Sequence, residues 1–482
     1  MSQSKPIDIA SRLELMVDDF LIERLSGAQL TLHHPTPREI VMVFDRPWEG
    51  NMCGYFTVFQ DDGRYRMYHQ AWHGVLDGGK FSEPRGLKNC SAESTDGIHW
   101  TRPELGLFEF GGSTANNIVW VGEGESKKGV HGFAPFKDPN PAWGPEARYK
   151  AVGAEINCAH GLFAMMSPDG LHWAMLRQEP IITSGAFDSQ NLVFWDGVRE
   201  EYRAYVRDFR DGRRCIRTAI SRDFLNWTDP VWLTYPGAPD EQLYTNQVTP
   251  YYRAPHIFVG FPSRYVERRW SEAIEALPEL EHRRLRAKVS ERYGAAVTDG
   301  LFMSSRDGAT FRRWPEAFIR PGLRPTGNWA YGDNYQAWGI VETDSDVAGA
   351  PRELSVYATE GYWREEASKL RRFTLRVDGF VSVQAPLAGG EMVTRPLVFK
   401  GRDLLLNFSA SAAGSIRVEV LRADADKPFD GFALEDCVEV LGDDLARAVR
   451  WKGGAQAGRL EGKPVRLRFV LRDADLYSIQ FK

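Results

Sequence analysis

The chain has 482 residues, 43% hydrophobic and 26% charged, with 60 Lys+Arg against 65 Asp+Glu and a formal net charge of −5. That length exceeds what one hydrophobic core usually organises and predicts more than one domain. The balanced charge leaves no basic field for a phosphate backbone, which excludes nucleic acid as a partner.

No apolar run approaches the about 18 residues of a membrane span, and the N-terminal MSQSKPIDIASRLELMVDDF lacks the basic and apolar regions of a secretory leader. No membrane association is expected. Five scattered cysteines, Cys53, Cys90, Cys158, Cys215 and Cys437, form no Cys-x-x-Cys pair. They read as free thiols in a reducing, cytoplasmic compartment, with no metal site and no cofactor.

Taken in chain order, short aromatic-rich runs bounded by Gly, Asp, Asn and Pro predict an all-β fold: YFTVFQDDGRYRMYHQAW, NLVFWDGVREEYRAYVRDF, YYRAPHIFVGFP and ELSVYATEGYW. In the first, an apolar strand ends at Asp61-Asp62-Gly63 and Arg64 to Trp72 return as its hairpin partner. One turn recurs: STDGIHW at Ser94–Trp100, SPDGLHW at Ser167–Trp173, SRDFLNW at Ser221–Trp227 and a stretched SRDGATFRRW at Ser305–Trp314. A fifth, Arg376-Val377-Asp378-Gly379-Phe380, ends in Phe.

Counting back from each turn locates a strand start: Gly54-Tyr55, His131-Gly132-Phe133, Asp188 to Asn191, Glu241 to Asn246, and Asp333-Asn334-Tyr335. Five such units predict a five-bladed β-propeller over residues 1–384, with the repeated turn joining the outer strands and carrying no chemistry. Val266 to Tyr293 breaks the pattern with helical spacing around Trp270, Ile274 and Leu277, and again at Leu285 and Val289. It predicts a helical insertion interrupted near Pro278. From residue 385 to 482 clean alternation without the turn predicts a C-terminal β-sandwich.

A propeller followed by a sandwich, with turns of the form Ser-x-Asp-aromatic-x-x-Trp, resembles the glycoside hydrolases of family 32, and the resemblance spans nearly the whole chain. It implies a glycosidase acting on a terminal sugar, a furanoside among the options, through carboxyl groups at the propeller mouth. The catalytic motifs depart from that family: FDRPWEGNMCG stands where Asn-Asp-Pro-Asn-Gly is expected, FDSQN where Arg-Asp-Pro is expected, and Glu-Cys is absent.

Glycoside cleavage needs one protonated and one ionised carboxyl, which directs attention to acids at the strand starts. Asp45 and Glu49 flank Trp48, whose ring could stack on a sugar. Asp188 lies beside an apolar strand, with Gln190 and Asn191 able to bond sugar hydroxyls. Glu241, followed by Tyr244 and Asn246, takes the place of the acid/base. Asp333 and Asn334 are expected to hold substrate, with His131 and Arg264 as further contacts.

Arg207-Asp208-Phe209 ends a second strand before a hairpin turn and reads as structural. A carbohydrate-binding propeller without catalysis is the rival, as is a phosphorylase or lyase on the same scaffold, which would need Arg or a Tyr/His base at the mouth. The expected partner is a carbohydrate, and the expected state a monomer or small homo-oligomer.

Overall fold

The computed structural model describes residues 5–324, 328–364 and 367–482. It is almost wholly β, and divides into two compact units: residues 35–251 with 255–375, and residues 1–34 with 252–254 and 376–482. Residues 1–34 and 376–384, expected with the repeated units, thus lie in the C-terminal one. The reason is non-local pairing: Ile7–Ala10 runs along Leu397–Phe399, Ile22–Ser26 along Gly390–Thr394, and Gln29–Leu32 along Val381–Ala385.

The larger unit contains five four-stranded antiparallel sheets. Their first strands are Gly54–Asp61, His131–Lys137, Leu192–Asp196, Thr249–Tyr251 and Val341–Thr343. In the fifth sheet the outermost strand is Thr36–Val43, which pairs with Lys369–Leu375 and so ties the beginning of this unit to its end.

Buried polar side chains stitch the starts of the sheets together. Gly132 N donates to Gln70 Oε1 at 2.8 Å, Gln190 Nε2 to Thr57 Oγ1 at 3.0 Å, and Gln247 Nε2 to Gln190 Oε1 at 2.7 Å and to Gln336 O at 2.9 Å. Trp338 N closes the circuit on Phe56 O at 2.8 Å. Gly132 is required there: its φ is +63°, and a Cβ would stand 2.3 Å from Ser189 O.

The repeated turn is a self-contained hydrogen-bonded cap. In Ser167–Trp173, Ser167 Oγ donates to Asp169 Oδ1, which also accepts from the backbone N–H of Leu171 and His172, and Trp173 Nε1 donates to Gly170 O. The same bonds recur at Asp96 and Asp223. Such an Asp satisfies backbone donors that a turn leaves free.

The cap also seals sheet to sheet. Tyr357 Oη donates to Gly97 O at 2.6 Å, Tyr68 Oη to Gly170 O at 2.8 Å, and Tyr205 Oη to Gly308 O at 2.9 Å. The second sheet has Val152 at the matching strand position, and the next turn has Phe224 in place of Gly; both belong to one apolar cluster. The pair exchanges a hydrogen bond for buried hydrocarbon.

Between the paired strands Ser263–Glu267 and Ala296–Gly300 lie the helices Glu272–Glu275, Leu280–Val289 and Glu291–Ala295. The break at Pro278 is where the sequence predicts it, and Trp270, Ile274 and Leu277 pack together. The second helix differs from expectation. Its buried face is Arg283 and Arg286, while Leu285 is 37% exposed. Arg283 donates to the carbonyls of Pro278, Gly294 and Trp329, and Arg286 to those of Tyr362 and Trp363, so the cations serve backbone acceptors rather than carboxylates.

In the smaller unit two long strands, Leu404–Arg422 and Val465–Phe481, pair along both halves, with the register breaking between Ala410 and Ser415. One half adds Gly390–Thr394 and Ile22–Ser26; the other adds Val381–Ala385, Gln29–Leu32 and Asp443–Ala448. Apolar side chains from both halves, among them Leu406, Phe408, Val418 and Phe469, share one buried cluster.

Candidate active site

Each of the five sheets sends side chains from its leading end to one place. Tyr55 comes from the first sheet and His131 from the second, with ring centroids 5.6 Å apart. Asp188 precedes the third sheet, and Arg207 comes from that sheet's second strand. Tyr244 precedes the fourth. Tyr331, Tyr335 and Tyr362 belong to the segments around the fifth, where Tyr244 stacks on Tyr335 at 4.8 Å and its hydroxyl lies 3.3 Å from that of Tyr331. Burial lifts all five tyrosine hydroxyls well above their usual range, and the negative charge of Asp188 adds to this at Tyr55, Tyr244, Tyr331 and Tyr362.

Local geometry explains why these residues converge. Tyr55 has φ +52° at a register break in its strand, and Gln190 Nε2 donates to its carbonyl oxygen at 2.9 Å. A non-glycine residue held in that region is strained, and the surrounding bonds keep it there. Gly332 permits the tyrosine wall: with φ +86°, its Cβ would fall 2.0 Å from the Tyr362 ring.

Asp188 is the carboxylate at the centre. Its side chain is 65% exposed, yet Oδ2 lies 3.0 Å from Arg207 Nη2 and Oδ1 3.4 Å from His131 Nε2. Desolvation pushes this carboxyl up, but His131 and Arg207 outweigh it and hold Asp188 below the usual carboxylate range. His131 is buried; burial lowers its pKa, while Asp188 and Cys158 raise it, to a net value of about 9.

A second acid stands beside this group. Glu83 follows the short hairpin Val75–Asp77 and Lys80–Ser82. Burial raises its carboxyl above the usual range, against the lowering effects of the Trp72 indole, Lys88 and His131. Its Oε1 is buried without a hydrogen-bond partner among the described residues. Trp72 and His131 meet edge to face at 6.3 Å. Two carboxyl groups with opposite shifts thus interact with one imidazole.

The other sequence-selected residues are placed differently. Asp45 is 62% exposed and pairs with Arg46 at 4.0 Å. Glu49 is fully buried in a two-pronged pair with Arg102, both contacts at 2.8 Å, with His69 at 3.4 Å. Desolvation would raise its carboxyl, but His69 and Arg102 prevail and lower it. Trp48 spends its indole N–H on Asn117.

Glu241 is clamped by Arg264 at 2.8 Å and by Arg313, and lines a cavity of about 440 Å³ with Arg210, Arg213 and Tyr235, none of them in the Asp188 group. Arg264 is itself held by both oxygens of Asp299.

Asp333 is fully buried, with burial raising its pKa to about 6 despite Arg364. Its oxygens accept from Tyr362 N and Ala330 N, which anchors the aromatic wall. Asn334 bonds the carbonyls of Thr298 and Asn328. Gln190 and Asn191 are fully spent on framework bonds; Asn191 Oδ1 accepts from Arg207 N and so helps place that guanidinium. Asn246 Oδ1 accepts from Val248 N.

Of the sequence-selected residues, Asp188, His131 and Tyr244 come together. Arg207, Glu83 and the other four tyrosines were missed. The available signal for Arg207 was its Arg-Asp-Phe context; for Tyr55 and Tyr335 it was their place at the strand starts already singled out.

No family model matches the chain, and no curated protein matches it. Solved structures that it resembles include glycoside hydrolases. One titled simply a glycoside hydrolase is 12% identical, with 71% of this chain and 92% of that chain covered and a TM-score of 0.44. A structure from a family of mannoside phosphorylases containing hydrolases of β-1,2-mannosidic linkages in Candida mannan is 14% identical, with 71% and 94% covered and a TM-score of 0.42. A fructofuranosidase from Schwanniomyces occidentalis, complexed with fructosylnystose, is 10% identical, with 99% of each chain covered and a TM-score of 0.41.

Proposed function

We propose that the protein is a glycoside hydrolase whose five four-stranded sheets are the blades of a propeller, followed by a β-sandwich built from the C-terminal segment and residues 1–34. The observation that carries this reading is that two carboxyl groups interact with one imidazole, His131: Asp188, whose pKa His131 and Arg207 lower, and Glu83, whose pKa burial raises. The partly buried ring of Tyr55, beside Asp188 and His131, supports a sugar ligand, because a flat aromatic face packs against the C–H face of a pyranose or furanose ring. The five free cysteines support a reducing compartment.

In this reading Glu83 gives its proton to the glycosidic oxygen as the C–O bond breaks. Asp188 sets its negative charge against the positive charge growing at the anomeric carbon. Water then supplies a hydroxyl to that carbon, and its proton replaces the one Glu83 lost. His131 and Arg207 hold Asp188 in place.

A screen of aryl glycosides, furanosides and pyranosides, against wild type, Asp188→Asn and Glu83→Gln tests the reading. Turnover by wild type with loss in both variants is the expected result. Binding of sugars with no turnover of any glycoside would instead support the non-catalytic carbohydrate-binding alternative.

A further inference from the structure

Arg207 is the most incompletely used cation at the site. Its side chain is 2% exposed, and among the described residues neither Nη1 nor Nη2 has a hydrogen-bond partner. Nε is spent on Ala186 O at 3.3 Å. The approach of Nη2 to Asp188 at 3.0 Å is an ion pair without hydrogen-bond alignment. The guanidinium lies over the Tyr244 ring at 5.1 Å, which fixes its plane.

Beside it, His131 Nε2 is also buried without a hydrogen-bond partner, 3.4 Å from the other oxygen of Asp188. Arg207 and His131 thus face the two oxygens of one carboxylate. A buried guanidinium with unused N–H groups is costly unless something completes it. Planar guanidinium groups are matched by planar oxyanions, which take two parallel N–H bonds at once.

We propose that Arg207, with His131, receives an oxyanion carried by the sugar itself, so that the substrate is an acidic glycoside bearing a ring carboxylate. This rests on the glycosidase reading above for the sugar, and on Arg207 and His131 for the acid. Arg207, its plane fixed by Tyr244, reads the ring's carboxylate, which gives discrimination that packing alone cannot supply. A site built to pair a charged group loses affinity for the neutral analogue because its own charge is left unpaired.

Calorimetric titration separates the possibilities without requiring turnover. Glucuronate and galacturonate are titrated against glucose and galactose into wild type, Arg207→Gln, Arg207→Lys and His131→Gln, with urea midpoints recorded to verify that each variant is folded. Wild type is expected to bind the acids at least about tenfold more tightly than their neutral counterparts. That preference disappears in Arg207→Gln and is partly kept in Arg207→Lys; if Arg207→Gln does not fold, a weakened preference in His131→Gln carries the test.

Equal binding of acids and neutral sugars by wild type overturns the proposal. So does undiminished acid preference in folded Arg207→Gln. A parallel arm adds inorganic phosphate to a neutral glycoside: formation of a sugar phosphate would assign the oxyanion to free phosphate and overturn the ring-borne source. Acid-selective binding with no cleavage of any aryl uronide would sink the glycosidase reading and leave the acidic subsite standing.

Discussion

Asp188 Oδ1 lies 3.4 Å from Nε2 of His131, a residue delivered by a different sheet, and the imidazole is buried while the carboxylate is open to solvent. The relationship puts a fixed, solvent-open acid beside a cluster of tyrosines. Asp188→Asn preserves the shape and removes the charge, so kcat/KM on the best glycoside is expected to fall about a thousandfold. A loss below about tenfold would remove Asp188 from the chemistry.

The two acids are shifted in opposite directions, and that sets the pH profile. Asp188 must be ionised, and its pKa lies below the ordinary range; Glu83 must be protonated, and its pKa lies above it. Activity therefore rises as pH passes the Asp188 pKa and falls as it passes that of Glu83, giving a bell in the acidic range. Glu83→Gln abolishes the alkaline limb. A kcat/KM series measured over about pH 3 to about pH 8 reads both limbs.

Glu241 separates an ion-pair role from a catalytic one. It is held by Arg264 and by Arg313, whose side chain is 1% exposed. Glu241→Gln leaves that guanidinium without its charge partner, at a cost of about 2 kcal/mol in urea unfolding. Turnover per folded molecule is expected to stay within about twofold of wild type.

The tyrosine-to-turn seals are a matter of stability alone. Tyr205→Phe leaves Gly308 O without its donor in a buried setting and is expected to cost about 1 to 2 kcal/mol. A chemical denaturation curve checks this, with kcat unchanged. Altered substrate specificity in Tyr205→Phe would contradict a purely structural role for the repeated turn.

What was legible in the sequence is local. Strand composition, turn chemistry and the Pro278 break are written into short windows, and the turn served as a ruler that led to Asp188 and His131. What was hidden is pairing across long separations. Thr36–Val43 completes a sheet more than 300 residues further on, beside Lys369–Leu375. Glu241 looks free until Arg313 is brought to it by folding.

Arg207 sits in a strand of alternating polar and apolar residues, where a charged residue ordinarily faces solvent, yet every residue from Glu201 to Arg207 is buried. Glu83 lies half-buried in a polar, largely exposed loop, SEPRG, and no periodicity reports its place. Gln190 was visible as a polar residue at a strand start, but its partners Thr57 and Gln247 lie in other sheets.

The assignment of Glu83 and Asp188 as an acid and its charged counterpart is tested most directly by leaving-group dependence. Wild type and Glu83→Gln are compared on aryl glycosides whose phenols range from weakly to strongly acidic. If Glu83 protonates the departing oxygen, the variant's deficit is large for poorly acidic phenols and shrinks towards wild type for dinitrophenol, which leaves without a proton. A deficit that is the same for every leaving group, or no deficit at all, would contradict the account.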